Sequence, residues 1–405
     1  MGAITAQDLD IPTLDLEFEP DREVASATLR AAAAQSWIAR NPLGFSILHY
    51  EDCVALLRDR RWHQAFARMS EMLGIDPDAT QRRPSILTAE GDEHARLRRL
   101  VAPAFTPKAA DRLRPYMREV INRLVDPFAD SGRCEFVADV CEPYPIPIIC
   151  ALLGAPEEDW KLFSRWATDL LSIFDGDVLE KLPAIQAAQE AMSAYVHELV
   201  ERRRSKPADD LLTDLIAAEE GGDRLDSEDL ESLAVAVLVA GTDTTRNQLA
   251  CTLALFTKHP EQWKLLAERP DLAARATEES MRVLGAIRGT SRFATEDIEY
   301  KGVLFPRDTF ISTSFVAANN DDAVFPEPET FDITREGATS PHLTFGSGIH
   351  YCLGAWLARA ELQEALPILA QRMPDLEVDG EIGWKPESTG IWGPAHLPLR
   401  FTPVC

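Results

Sequence analysis

The stretch from Ser227 to Lys258 limits the possible folds more than any other part of the chain, because it reads as one uninterrupted helix. Glu228, Asp229 and Glu231 stand at its start and Lys258 at its end, as the helix dipole favours. At this length it would run about 45 Å. Its middle, SLAVAVLVAG, is apolar on every side, so no orientation gives water a polar face. Such a helix has to cross the core, with other elements packed around it. The fully apolar run, about Leu233 to Ala240, is far short of the roughly 20 residues a membrane span needs.

The rest of the 405 residues supplies the surrounding layers. Helical patterns are expected from Asp92 to about Pro103, from Pro107 to Leu124, after Pro156, from Leu182 to Arg204, from Asp271 to Gly285 and from Gly354 to about Arg372. Short strands are expected at 44–50, between 291 and 314, and at the carboxyl end. Residues 1–43 read as irregular, with prolines at 12, 20 and 42, and His63 to Pro84 has no clean period. A loop that long suggests a lid or a pocket wall. The sum is a mainly α chain with a small β portion, read as one domain over 1–405. A formal charge of -25 argues against general nucleic-acid binding. Seven cysteines without a CxxC pair, and an acidic start without a basic leader, point to a reducing, cytoplasmic setting with no membrane anchor; a monomer is expected.

One of those cysteines has an unusual setting: Phe345-Gly346-x-Gly348-x-His350-x-Cys352-x-Gly354, followed at once by a helical run. The glycines permit a sharp turn and the close approach of a flat ligand. A thiolate at a helix start is favoured by the dipole and is a metal ligand or a nucleophile. Zinc would want three or four protein ligands, and no second cysteine is near. Haem needs only one, because the porphyrin supplies four. A buried structural cysteine in a glycine-rich turn is the plainer alternative, and the loop by itself leaves it open.

The loop resembles the haem-binding signature of the cytochrome P450 family. That resemblance implies a cytochrome P450 fold, with haem b between the long helix and the loop, Cys352 ligating the iron and O2 as co-substrate. The long helix carries Ala240-Gly241-Thr242-Asp243-Thr244-Thr245, polar residues that break an apolar core pattern, as functional sites do. Threonine hydroxyls there can bond carbonyls one turn back. By resemblance to the family's oxygen-activation motif, Thr244 would hold the oxygen being activated and Asp243 would feed protons. Glu279 and Arg282 are three apart on a helix and, taken alone, read as a surface pair; with Arg335 they match the family's buried structural set. The resemblance assigns His94, Arg98, Arg292 and His350 to the porphyrin propionates, which need cationic and hydrogen-bonding partners. Ala240, Gly241, Phe345, Gly346 and Gly354 complete the expected cofactor contacts.

Without GxGxxG or a Walker motif the chain has no evident nucleotide site. Electrons are expected from a ferredoxin and ferredoxin reductase, with Arg96, Arg99, Arg112, Arg114 and Arg359 as a basic patch toward an acidic partner. The substrate pocket, also by resemblance, would draw on Phe66, Phe174, Leu233, Val237, Ile287, Arg288, Ile391 and Trp392. That set is mostly apolar, so a lipophilic small molecule is expected, with Arg288 as a candidate anchor for a polar group. The implied activity is insertion of one oxygen atom from O2, as hydroxylation or epoxidation. Two rivals are a peroxide-driven peroxygenase, against which Asp243 and Thr244 speak, and a non-catalytic haem-thiolate sensor.

Overall fold

A computed structural model describes residues 3–14, 22–65, 68, 85–175, 177–220, 225–336, 341–386 and 389–403. The central helix is Ser227–Phe256. The Asp226 side chain caps it by accepting the N–H of Asp229 at 2.9 Å, and it ends two residues before Lys258. From Leu233 to Val239 every side chain is buried, as the all-round apolar pattern requires. Helices Pro145–Leu153, Trp160–Leu171, Val178–Ser205 and Ala273–Val283 pack against it.

Helix Ala355–Arg372 follows Cys352 and packs beside Pro107–Val125. The two run parallel: Arg114 bonds Glu364 at 2.9 Å, and Arg372 bonds the carbonyl of Asn122 at 3.1 Å, eight residues further along both helices. This pairing fixes the level of the helix that begins at the cysteine loop.

A five-stranded sheet lies to one side, in the order Ile38–Asn41, Gly44–Ile47, Phe310–Ser314, Gly289–Ala294, Trp62–Gln64. Its register sets Arg292 opposite Gln64 on one side and Ile311 on the other, which carries Arg292 to the site. The expectation that residues 1–43 are irregular is corrected. Ile4–Thr5 pairs in parallel with Val303–Leu304, Arg22–Ala33 is a helix, and Ile38–Asn41 forms a hairpin with Gly44–Ile47. Prolines 12 and 42 lie outside these elements, and Pro20 lies outside the described residues. The first of these pairings joins residues about 300 apart, which no local pattern announces.

Candidate active site

Between the central helix and the cysteine loop lies a cavity of about 340 Å³. The loop enters it through backbone dictated by glycine. Gly346 and Gly348 have φ of +71° and +73°, the region where a Cβ is strained. Their surroundings differ. A Cβ on Gly346 would meet nothing within 4 Å, and the same holds for Gly354, which also faces the cavity. A Cβ on Gly348 would lie 2.2 Å from the carbonyl oxygen of Leu57. So Gly346 and Gly354 leave room for a flat group, whereas Gly348 serves backbone packing.

Cys352 lies on the cavity wall. Its N–H donates to the carbonyl of Phe345 at 2.9 Å, closing the loop. Burial raises its thiol pKa, against the pull of the Gly354 N–H and of the Arg98 and Arg359 cations. Among the described residues no three His, Cys, Asp or Glu side chains converge as a metal site. The donor set is thus a single sulfur, which suits a metal that brings its own equatorial ligands.

The edge of the cavity is electropositive. Arg292 is buried, and its NH1 donates only to neutral oxygens: Gln64 Oε1 at 2.7 Å, Thr290 Oγ1 at 2.8 Å and the Ser291 carbonyl at 2.9 Å. Burial pushes that guanidinium down to about 10. Arg98 donates to the Tyr351 carbonyl at 2.8 Å and is also lowered by burial. The His94 and His350 rings lie 4.4 Å apart, and burial, then His350 and Arg98, hold His94 near 4. Glu90 is the carboxylate at this edge, 3.1 Å from His350 Nε2; the His350 contact and the Gln64 N–H outweigh its burial and lower its pKa. One buried and one half-buried guanidinium, with neutral hydrogen-bond partners and beside open space, fit the two carboxylates of a porphyrin.

Across the cavity stand Ala240, Gly241 and Thr244. The Thr244 hydroxyl bonds back to the Ala240 carbonyl at 2.8 Å, and Thr242 does the same to Leu238 at 2.7 Å, yet the helix runs on unbroken. Asp243 is off the cavity wall. It is buried, ion-paired to Arg246 and bonded by Asn247 Nδ2, at 2.7 Å to its carbonyl and 3.3 Å to its carboxylate. Arg246 is itself held by Thr168 Oγ1 at 3.0 Å and Ser164 Oγ at 3.4 Å, on helix Trp160–Leu171.

Glu279, Arg282 and Arg335 form one buried cluster and not a surface pair. Arg282 grips the Glu279 carboxylate with two bonds of 2.8 Å, and Arg335 Nε adds one of 2.9 Å. The two arginines then collect the carbonyls of Asn319, Pro326, Glu327, Pro328 and Thr330.

Of the expected pocket residues, Leu233, Val237 and Ile287 line the cavity. Arg288, Ile391 and Trp392 do not. Arg288 sits 4.9 Å over the Trp392 ring, and both line a separate pocket of about 180 Å³. Trp392 stacks on Trp384 at 4.7 Å, which fixes it in the core. Ile391 is buried with them, off both walls. Phe66 and the side chain of Phe174 lie outside the described residues, as does most of 63–84. The basic patch is also thinner than expected. Arg96 is paired with Glu93 and Asp229, Arg114 with Asp111 and Glu364, and Arg359 with Glu278, while Arg99 and Arg112 are exposed.

Two side chains in the wall escaped the sequence reading. Gln248 spans the central helix and the next layer, accepting the Ala286 N–H at 2.9 Å and donating to the Leu284 carbonyl at 3.1 Å. Glu361, on helix Ala355–Arg372, is fully buried, faces the cavity, has no hydrogen-bond partner for Oε1 among the described residues and is pushed up to about 8 by burial, against the pull of nearby Thr245. A signal existed for it: Leu357, Glu361 and Ala365 are spaced by four, so the glutamate interrupts an apolar stripe.

The comparisons with known proteins agree with this site. The cytochrome P450 family model matches residues 157–373. Luteothin monooxygenase from Streptomyces thioluteus is 36% identical over 97% of this chain and 96% of its own. Mycinamicin IV hydroxylase/epoxidase from Micromonospora griseorubida is 37% identical over 87% and 88%. The crystal structure of CalO2 superposes with a TM-score of 0.90 at 28% identity, covering 97% of this chain and 100% of that one. The fold and site define a haem-dependent oxidoreductase. The chain belongs to the cytochrome P450 family and is a monooxygenase acting on a small molecule with O2 and electrons from redox partners. Among the described residues no helix is long and apolar enough to cross a membrane.

Proposed function

We propose that the chain holds haem b against Cys352, draws electrons from a ferredoxin and its reductase, and oxidises a lipophilic substrate by hydroxylation or epoxidation. What carries this reading is the single cavity with a lone thiol on one wall, the Gly241–Thr245 turn on the other and unneutralised guanidiniums at its edge. Arg98 and Arg292 would take the propionates, with His94 and His350 beside them. When bound, haem supplies reductive activation of O2 and transfer of one oxygen atom, and a thiolate ligand favours O–O cleavage.

The chain's own residues handle binding and protons. Leu87, Leu233, Ala236, Val237 and Ile287 give the cavity an apolar wall, which selects apolar surface. Thr244 donates its own proton to the Ala240 carbonyl, so its oxygen lone pairs face that wall and can accept a hydrogen bond that holds a proton donor at the oxygen site. Asp243 can relay protons there only when it leaves Arg246. Glu361 faces the same cavity and, with its pKa pushed up to about 8 by burial, carries a proton at neutral pH, so it is a second donor. The name of the Micromonospora relative supports reading hydroxylation and epoxidation as alternative outcomes on one scaffold. Asp243 and Thr244 favour this reading over a peroxide-only enzyme.

The test is reconstitution with a ferredoxin, its reductase and isotopically labelled O2, using a compound selected by displacement of the haem's water ligand. One labelled oxygen in the product is expected, together with loss of the thiolate signature of the reduced carbon monoxide complex in Cys352→Ala. Turnover by peroxide alone, or a signature that survives in Cys352→Ala, refutes it.

A further inference from the structure

Behind the cysteine loop, side chains from three segments converge on one cation. Arg359 lies with its guanidinium carbon 4.4 Å from the centre of the Phe345 ring and 5.6 Å from that of Trp356. Its Nε and NH2 donate to the two oxygens of Glu278 at 2.6 and 2.9 Å, and its NH1 to the Tyr351 hydroxyl at 3.1 Å. Glu278 stands on helix Ala273–Val283, and its Oε2 is 3.4 Å from Nε2 of buried His342. His342 in turn accepts the Thr344 N–H on Nδ1 at 3.2 Å, which leaves Nε2 to face the carboxylate. Phe345 belongs to the loop and bonds Cys352 through its carbonyl.

This is a two-pronged ion pair on a largely buried arginine, so the cation has one place to be. That place is the outer face of the loop's aromatic ring, where a cation is also held by the ring's quadrupole. Together with Arg98, Arg359 is a cation whose field lowers the Cys352 thiol. The field of a nearby fixed charge acts on any redox change at that sulfur, and groups outside the ligand set are known levers on a metal's potential.

We propose that Glu278 is a positioning residue that holds Arg359 over Phe345, and that this cation, partly offset by the carboxylate, sets how strongly the Cys352 thiolate donates to the iron. The inference rests on the reading of Cys352 as the iron's ligand. The sign follows from charge. Reduction adds negative charge beside Arg359, so the cation favours the reduced form and Glu278 opposes it. Removing Arg359 makes reduction harder. Removing the charge of Glu278, with an acceptor kept for the Arg359 Nε–H, makes reduction easier.

Redox titration of the holoprotein tests this with Arg359→Met, Glu278→Gln and the double variant. Arg359→Met is expected to lower the reduction equilibrium constant on the order of tenfold, about 59 mV for one electron, and Glu278→Gln to raise it by less. The double variant is expected between them. Two single variants that shift in the same direction, or neither of which shifts, overturn the proposal, because a merely structural clamp would loosen the loop alike in both. The reduced carbon monoxide spectrum separates the two readings. Absence of the thiolate signature in the parent protein removes Cys352 as ligand, whereas a parent that keeps it while potentials fail to move in opposite directions removes only the role of Glu278 and Arg359.

Discussion

Replacing Glu279 by alanine should cost the folded protein about 3–5 kcal/mol. The carboxylate accepts two bonds of 2.8 Å from Arg282, one of 2.9 Å from Arg335 and one of 3.3 Å from the Asp332 N–H. Its side chain is 5% exposed, and that of Arg282 is 3% exposed. An exposed pair would contribute at most about 1 kcal/mol, since water replaces the lost partner. Here water has no access to Arg282, so alanine leaves a buried cation whose remaining partners are the neutral carbonyls of Asn319, Pro328 and Thr330. Arg335 is 15% exposed and rehydrates in part, which holds the cost within that range. The assay is urea unfolding of the holoprotein, followed by far-ultraviolet circular dichroism and by haem absorbance, with an unchanged slope taken as the condition for comparing midpoints. Replacing Glu279 and Arg282 together by methionine should recover most of the loss, because the fully buried cation is then gone and Arg335, partly exposed, keeps the carbonyls of Pro326, Glu327 and Thr330. A Glu279→Ala protein within about 1 kcal/mol of the parent would refute the reasoning. So would a double variant less stable than either single one.

Other expectations follow from the same geometry. Thr244→Ala should leave the haem spectrum intact while peroxide released per O2 consumed rises several-fold; unchanged coupling would remove Thr244 from proton handling. Gly348→Ala should destabilise the apoprotein by about 2 kcal/mol or more, from strain at positive φ plus the 2.2 Å approach to Leu57. Gly346→Ala, with the same kind of φ but open space, should chiefly weaken haem retention, and equal effects of the two on apoprotein stability would contradict the assignment of that space to the porphyrin. Glu361→Gln should change the pH dependence of stability. The folded pKa of about 8 lies above the ordinary 4.5, so this group's favourable share is complete below about 4.5 and is lost as pH rises to about 8. Unfolding midpoints of parent and variant should therefore draw apart in the variant's favour over that interval and run parallel above it.

How much of this was legible in the sequence depends on whether one element or several carried the information. The central helix was readable because its caps and its all-round apolar middle are local properties of Ser227–Phe256. The cysteine loop was readable because glycines at fixed offsets specify its backbone. Glu279, Arg282 and Arg335 were readable only through family likeness, since a glutamate and an arginine three apart look the same buried or exposed. What could not be read depends on partners distant in the chain. The parallel pairing of Ile4–Thr5 with Val303–Leu304 has no local signal. Whether Arg288 faces the cavity turns on the Trp384–Trp392 stack, which fixes Trp392 as its platform. The basic patch is thinner than its arginines suggest partly for the same reason: besides Asp111, three residues from Arg114, the acids that pair with Arg114 and Arg359 lie about 250 and 80 residues away in the chain.

Those distant partners also explain why the site is built as it is. At the cavity edge, burial drives Arg98 and Arg292 toward their neutral forms while their hydrogen-bond partners are neutral oxygens. Inside, burial drives Glu361 toward its neutral form, with no cation beside it among the causes of the shift. A fold selected for stability alone would bring such opposite charges together, as it does at Glu279 and Arg282, or replace them by apolar groups. Keeping them apart leaves cations that an anionic ligand can satisfy and an acid that still holds its proton. Anything that binds the folded form and supplies the missing negative charge adds its binding free energy to stability. The desolvation cost of the cavity edge is thereby linked to the binding of an anionic group there.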